Sequence, residues 1–547
     1  MYAGGAKAQV IRDYERGLIT CKMKKQDNAM SKDASKSRVK NTLINTAFGI
    51  FVKIITLVLN FVTRTVFIKY LGVEYTGVSA VFTDILTVLS FAELGIGSAI
   101  TFSLYKPIEN KDNKKISALL NLYRKAYRII AVAIFVIGVS LVPFLDKLIT
   151  NVPIVKENLI IIYLLYVFNS AVSYLLIYKS TLLMASQQAY VISSVNLCVM
   201  IVRALLQIFA VVLFRQFILF LIIAIVSTII QNLIISFKSS ERFKDITPYK
   251  NEKISKDERK KIFKDVKALS LYKISGTVLN GTNNIVISAV LGANIVGLVS
   301  NYTLIIAEIY SMALQFLNSV TASIGNLVVS KDNERQYEIF RIMNFACECF
   351  FCICTVCLYN LLDEFVGSIW LGNEFIINKW TVMLICIDFY IKGNTTLIGS
   401  FRNANGLFVQ GQYRPLIMAL LNIVIAIIGA KIFGVAGVFL GSVIARVATQ
   451  LWFDPLIIYK HAFRKSVKGY FGEYAVWLFI LIFCSLVAKM LNSLIIISSP
   501  IISFIVHGVV CVTIVCLTIF VIFGKNKVFR NSLVYAVNIV KKKKNRN

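Results

Sequence analysis

The segment Gly49–Gly77 reads GIFVKIITLVLNFVTRTVFIKYLGVEYTG. Its first part, Gly49 to Phe67, has the length and apolarity of a helix that crosses a hydrocarbon core about 30 Å thick, which takes about 20 residues. Lys53 and Arg64 nevertheless stand inside it. Eleven residues make three helical turns, so the two cations lie one above the other, about 16 Å apart along the axis. Asn45, Gly49, Thr56 and Asn60 share their face. A cation at mid-bilayer costs at least about 2.5–3.5 kcal/mol, so this face requires a partner or a water-filled cavity.

The rest of the chain is of the same kind. Hydrophobic residues make up 57% of the 547 and charged residues 16%, against about 45–50% and about 25% in soluble chains. Apolar runs of about 20 residues recur along its whole length, too long for barrel strands, and helices are the remaining way to span lipid. The expectation is an all-α polytopic membrane protein with about fourteen spans, centred near residues 54, 89, 133, 167, 200, 226, 279, 311, 351, 389, 423, 447, 483 and 511. Spans four and five are separated only by the short polar patch Tyr178–Tyr190.

The net charge of +31 raises nucleic acid as a partner, but its placement argues otherwise. Lys and Arg concentrate in alternate loops: the first 40 residues, Lys106 to Arg128, Lys238 to Lys267, Lys331 to Arg341, Lys460 to Lys468, and the tail from Lys525. The intervening loops carry scattered single cations such as Lys69, Lys147, Lys156, Arg215, Lys379 and Lys431. This is the positive-inside pattern, and it puts both termini in the cytoplasm. The tail KKKKNRN then reads as a topology signal with some attraction for anionic lipid.

Eleven cysteines suit a reducing or lipid environment better than a disulfide framework. The cluster CECFFCICTVC, Cys347 to Cys357, lies in an apolar run without His and reads as helix packing; no metal and no cofactor are expected. The polar first 40 residues contain no apolar signal core. MSKDASKSRVKNTLINTAF, from Met30, looks like a more natural start, which makes residues 1–29 an extension or a misassigned initiation.

The chain also repeats itself at a shift of 220 residues. Leu71, Gly72 and Gly77 recur as Leu291, Gly292 and Gly297; Lys111–Asn113 recur as Lys331–Asn333; Lys53 recurs as Lys273 and Asn60 as Asn280, while Arg64 is replaced by Asn284. The spans therefore divide into two copies of a six-helix unit with the same orientation, related by an axis along the membrane normal. The expected layout is a polar segment 1–40, a first lobe 41–237, a basic linker 238–265, a second lobe 266–460, a terminal helix pair 461–524 and a basic tail 525–547. Each LGxxxxG falls at the outer exit of the first span of its lobe, where glycine permits a tight turn and close backbone approach.

The polar face recurs with the repeat. Span seven carries Lys273, Thr277, Asn280, Asn284 and Ser288; span two carries Ser79, Thr83, Thr87 and Ser90, with Asp84 and Glu93 nearby. Further intramembrane ionisable residues are Arg203, Glu308, Glu348, Asp388, Lys392 and Arg446. Two readings of Lys53 and Arg64 stand side by side. One is an ion pair with Asp84 or Glu93 that fixes span one to span two. The other is a cationic vestibule between the lobes for an anionic, hydroxyl-rich substrate, with Arg and Lys meeting phosphate oxygens and Asn, Thr and Ser meeting sugar hydroxyls. The expected substrate-binding set is Lys53, Asn60, Arg64, Asp84, Glu93, Lys273, Asn280 and Asn284.

The run FVTRTVFIKYLGVEYTGVSAVFTDILTVLSFAELGIGSAITFSLY, Phe61 to Tyr105, resembles the amino-terminal signature of Wzx-type polysaccharide flippases of the multidrug/oligosaccharidyl-lipid/polysaccharide exporter superfamily. The arginine before LG, the acid of AELGIG and the second-half LGANIVGLVSNY match that family, and the resemblance extends from about Val39 to the end. It implies transfer of an undecaprenyl-diphosphate-linked oligosaccharide across the bacterial plasma membrane by rocking lobes around a cationic cavity, with Arg64 and Glu93 as cavity residues. The implied setting is O-antigen, capsule or exopolysaccharide synthesis, beside a polysaccharide polymerase and glycosyltransferases. Relatives often carry an acid in span seven where this chain has Asn283 and Asn284.

A cation- or proton-coupled multidrug antiporter on the same fold is the alternative, and would need acids to dominate the cavity. An enzyme is not expected: the outer loops are short, and His461 and His507 sit in no metal or triad pattern.

Overall fold

A computed structural model describes residues 51–93, 96–149, 155–186, 188–249, 252–329, 333–407, 410–411, 413–526 and 528–532. The polar segment 1–40, with Asn45 and Gly49, lies outside them, as do Lys331, Asp332 and the end of the basic tail. Among the described residues every regular element is helical, as a chain in lipid requires.

The first half comprises α1 (Phe51–Leu71), α2 (Val73–Leu89), α3 (Ile96–Glu109), α4 (Asn113–Ser140), α5 (Leu159–Tyr174), α6 (Ala189–Phe214) and α7 (Phe217–Arg242). The second comprises α8 (Lys256–Leu291), α9 (Ala293–Val329), α10 (Asn333–Glu364), α11 (Lys379–Ala404), α12 (Arg414–Phe433) and α13 (Val435–Ile458). The pair α14 (Lys468–Leu494) and α15 (Pro500–Phe523) packs on α10, where Phe345 meets Trp477 and Phe523 edge-on.

Eleven described helices are long and apolar enough to cross a membrane, and twelve if α4 and its continuation, bent by 41°, form one span. The fourteen expected spans also include α8, whose described apolar stretch is Gly281–Leu291, and span two. Span two is not one helix: a 3-10 turn, Ser90–Glu93, interrupts it between α2 and α3. The Tyr178–Tyr190 patch becomes the short helix Ser180–Ala185 between α5 and α6. The expected linker is shorter than 238–265, because α7 continues to Arg242 and α8 begins at Lys256. Ser255 starts α8 early by accepting a hydrogen bond from the Glu258 amide, a good N-cap in a sequence rich in helix formers.

The duplicated LGxxxxG has a duplicated geometry. One residue, Gly72, separates α1 from α2, and one, Gly292, separates α8 from α9; their φ values are 101° and 103°, a region that L side chains avoid. Five residues on, α2 and α9 cross. A Cβ on Gly77 would lie 1.9 Å from the Ala293 carbonyl oxygen, and one on Gly297 would lie 2.5 Å from that of Val73. Hydrogen in place of a side chain is therefore what lets the two backbones touch. Around this crossing one apolar core unites both halves, with Val78, Phe82 and Phe217 beside Ile287, Val296 and Val438. At the opposite end a separate core, around Leu104, Tyr123 and Tyr127, is built from the first half with Ile246, Ile262 and their neighbours.

Candidate functional site

Roughly two turns below the glycine crossing, a cavity of about 610 Å³ separates the halves. The helices that lead away from the crossing supply its polar surface: Arg64 from α1, Thr83 and Asp84 from α2, Asn283 and Asn284 from α8, and Thr303 and Glu308 from α9. Asp388 and Lys392 of α11 and Ser442 and Arg446 of α13 complete it. Three cations thus face three acids, so this chamber is mixed in charge, where a cationic vestibule with Asp84 and Glu93 beside it was expected.

Several of these charges tie the halves together. Lys53 Nζ lies 2.7 Å from Glu308 Oε2, and Asn60 Nδ2 donates to Glu308 Oε1 at 3.3 Å. Arg64 spans the same interface, donating from Nε to Asn301 Oδ1 at 3.1 Å and from Nη2 to Ser300 Oγ at 2.5 Å. Trp370 Nε1 donates to Thr65 Oγ1 at 2.7 Å. In the pseudo-symmetric position Asn284 Nδ2 donates to Asp84 Oδ2 at 2.8 Å. So α1 leans on α9, and α8 leans on α2. The repeat predicts that reciprocity, but not its chemistry. Within the second half, Arg446 Nε pairs with Asp388 Oδ1 at 2.6 Å, and Lys392 Nζ sits 4.4 Å from the Tyr310 ring centre.

Arg64 also borders a second, smaller chamber of about 290 Å³, lined by the first half and by Leu304 of α9. Arg203 reaches it from α6, with Asn60, Ser79, Tyr166 and Gln207 around it, and no acid is among the described residues that line it. Arg203 Nε donates to Gln207 Oε1 at 3.4 Å, a weak neutral contact on its own helix. Two guanidiniums, the four neutral hydrogen-bonding side chains of Asn60, Thr63, Ser79 and Gln207, and a phenol therefore form an anion-favouring recess that shares Arg64 and Ser79 with the mixed cavity.

Of the expected set, Arg64, Asp84 and Asn284 line the central cavity, Asn60 lines the recess, and Lys53 reaches the cavity through Glu308. Glu93 is not among the residues lining either space; its Oε1 accepts from the Tyr127 hydroxyl at 3.3 Å. Neither Asp84 nor Glu93 is the ion-pair partner of Lys53, because the docking of the halves brings Glu308 closer. Lys273 and Asn280 belong to α8, but their side chains lie outside the described residues. Sequence reasoning noted Arg203 and Glu308 as intramembrane charges; it had no signal for which of them face the site.

The Lys53–Glu308 contact makes a measurable prediction. Glu308→Met should lower stability by about 1.5–3 kcal/mol, whereas adding Lys53→Met to it should recover most of the loss, because the stranded ammonium is gone. Thermal unfolding of the purified variants as a double-mutant cycle measures the coupling; additive losses would mean that the pair contributes nothing.

No family model and no curated protein matches the chain. Solved structures do. A lipid II flippase MurJ in an inward closed conformation superposes with a TM-score of 0.62 at 15% identity, covering 88% of this chain and 99% of its own. An inward-facing multidrug resistance MATE family transporter of the MOP superfamily gives 0.59 at 12% identity, covering 76% and 98%. The Vibrio cholerae MATE transporter VcmN in its bent form gives 0.52 at 15%, covering 78% and 98%. The chain has the fold that these transporters and this flippase share, and it is a multi-pass membrane protein.

Proposed function

We propose that the chain is a flippase that carries an undecaprenyl-diphosphate-linked oligosaccharide from the inner to the outer leaflet of the bacterial plasma membrane, for O-antigen, capsule or exopolysaccharide synthesis. The observation that carries the reading is the recess holding Arg64 and Arg203, with no acid among the described residues that line it, beside a larger chamber whose mixed charges are interspersed with hydroxyls and amides. A diphosphate is matched by two planar guanidinium forks. Thr83, Asn283, Asn284 and Thr303 offer the donors and acceptors that a sugar needs. Lys53, tied to Glu308, serves to join the halves, and Arg203 takes its place beside Arg64. The likeness to a flippase over 88% of this chain is in keeping with this reading.

With positive loops inside, both termini are cytoplasmic, and the glycine crossing closes the outer end while the cavity is reached from within. Rocking of the halves about that crossing then gives alternating access. A polysaccharide polymerase and glycosyltransferases are the partners this role implies. Asp84, Glu308 and Asp388 in the lining favour a second reading, a cation- or proton-coupled multidrug antiporter.

Reconstituted vesicles separate the two. Loaded with a labelled lipid-linked glycan, vesicles with the protein should expose label to an external glycosidase faster than protein-free vesicles, and should not accumulate a cationic dye under a proton or sodium gradient. Dye uptake with no glycan movement would replace the flippase by the antiporter.

A further inference from the structure

A third cavity, of about 470 Å³, lies away from the interface between the halves. It sits in the first half at the end opposite the glycine crossing, where α4 begins, α5 ends and α7 ends. Arg124 and Arg128 of α4, Lys179 and Tyr178 from the 3-10 turn after α5, and Ser239 and Ser240 of α7 line it. No Asp or Glu is among the described residues that line it.

Two of the three cations touch neutral groups of the pocket. The Arg124 guanidinium lies over the Tyr178 ring at 5.4 Å, and its Nε is buried with no hydrogen-bond partner among the described residues. Lys179 Nζ donates to Ser240 Oγ at 2.8 Å, and Ser239 Oγ donates to the Lys179 carbonyl at 2.9 Å, fixing the turn that presents the lysine. A buried guanidinium nitrogen without an acceptor is costly to leave unmet. Two arginines and a lysine converging with hydroxyls have the chemistry of a phosphate site.

The surroundings indicate which phosphate. Within four residues of a lining residue, each of the three segments presents an exposed apolar side chain: Ile129 beside Arg128 on α4, Leu175 just past the end of α5 and before Lys179, and Phe237 before Ser240 on α7, exposed by 69%, 43% and 71%. On α7 this face continues through Leu233 and Ile230, and on α4 through Val132 and Val136, all exposed. A free anion uses only the pocket; a lipid uses the pocket and the apolar faces that lead from it.

We propose that this pocket binds the phosphate headgroup of an anionic glycerophospholipid, its acyl chains lying along α4, α5 and α7. The site is separate from the transport cavity and holds whether or not the substrate assigned above is correct. It fixes the first half at the level of one membrane surface, so that lipid composition acts on the half whose α2 and α1 meet the other at the interface.

Equilibrium binding of fluorescent phosphatidylglycerol to the delipidated full-length protein in detergent tests this, with fluorescent phosphatidylcholine and inorganic phosphate as the other arms. Phosphatidylglycerol should bind saturably, phosphatidylcholine far more weakly, and inorganic phosphate should not compete. Arg124→Gln with Arg128→Gln should weaken phosphatidylglycerol about thirtyfold. Ser240→Phe, which fills the mouth and takes the hydroxyl from Lys179 while leaving all three charges in place, should also weaken it, and keeps the test open if the double variant does not fold. Equal binding of the two lipids, or unchanged binding in a folded variant, would overturn the site. Competition by inorganic phosphate as strong as by unlabelled lipid would overturn the lipid and leave a soluble phosphate site.

Discussion

Arg64→Ala combined with Arg203→Ala should lower glycan translocation in reconstituted vesicles about a hundredfold or more, since each charge-assisted contact to phosphate is worth about 1.5–3 kcal/mol. The single substitutions differ in what they disturb. Arg64 also joins α1 to Ser300 and Asn301, so its loss weakens the docking of the halves as well. Arg203 bonds within its own helix to Gln207, so Arg203→Ala should reduce translocation about tenfold or more while leaving thermal unfolding close to that of the parent. Arg203→Lys should restore part of the rate, because charge is kept and the planar fork is lost. Full translocation by the double substitution would remove the diphosphate from this recess.

Gly77→Ala should produce the second large effect. The added Cβ meets the Ala293 backbone carbonyl at 1.9 Å, and backbone cannot swing aside as a side chain can. The joined arrangement of α2 and α9 then carries a penalty of about 1–3 kcal/mol, which shifts a two-state equilibrium roughly 5- to 150-fold toward separation at that end. Gly297→Ala should act alike, against the Val73 carbonyl. Spin labels at Glu74→Cys and Asn294→Cys, with the eleven native cysteines replaced, report the separation. Longer distances and slowed transport are expected; an unchanged distribution would mean that the crossing does not hold this end closed.

What could be read from the chain without its fold was what is local or duplicated. Gly72 with Gly77 and Gly292 with Gly297 declared both the turn and the close approach, because a repeated glycine at a helix exit admits few other uses. That Lys53 needed a partner was also legible, from the energetics of a cation in lipid. That the partner is Glu308 was not, because it sits in the other half and the pairing depends on how two similar units dock. Arg203 stood out as a charge in lipid, yet nothing in α6 alone tells that it faces Arg64. Arg124 and Arg128 were counted only as markers of sidedness, since the hydroxyls and ring that make them a pocket come from two distant segments. The break in span two escaped for the opposite reason: the acid of AELGIG looked like a motif, and its place at the end of a 3-10 turn puts it beside Tyr127 instead of in the cavity.

The glycine crossing has an ancestral meaning as well as a mechanical one. Gly77 and Gly297 occupy equivalent positions of the repeat, and each meets the segment equivalent to the one the other meets. Such a contact is isologous: a single patch, present twice, complementary to itself. One half alone, paired with an identical copy, already holds the surface needed for this seam. Arg64 opposite Asn284 is then the kind of difference that only fusion into one chain allows, since a homodimer cannot change one side of its axis without changing the other.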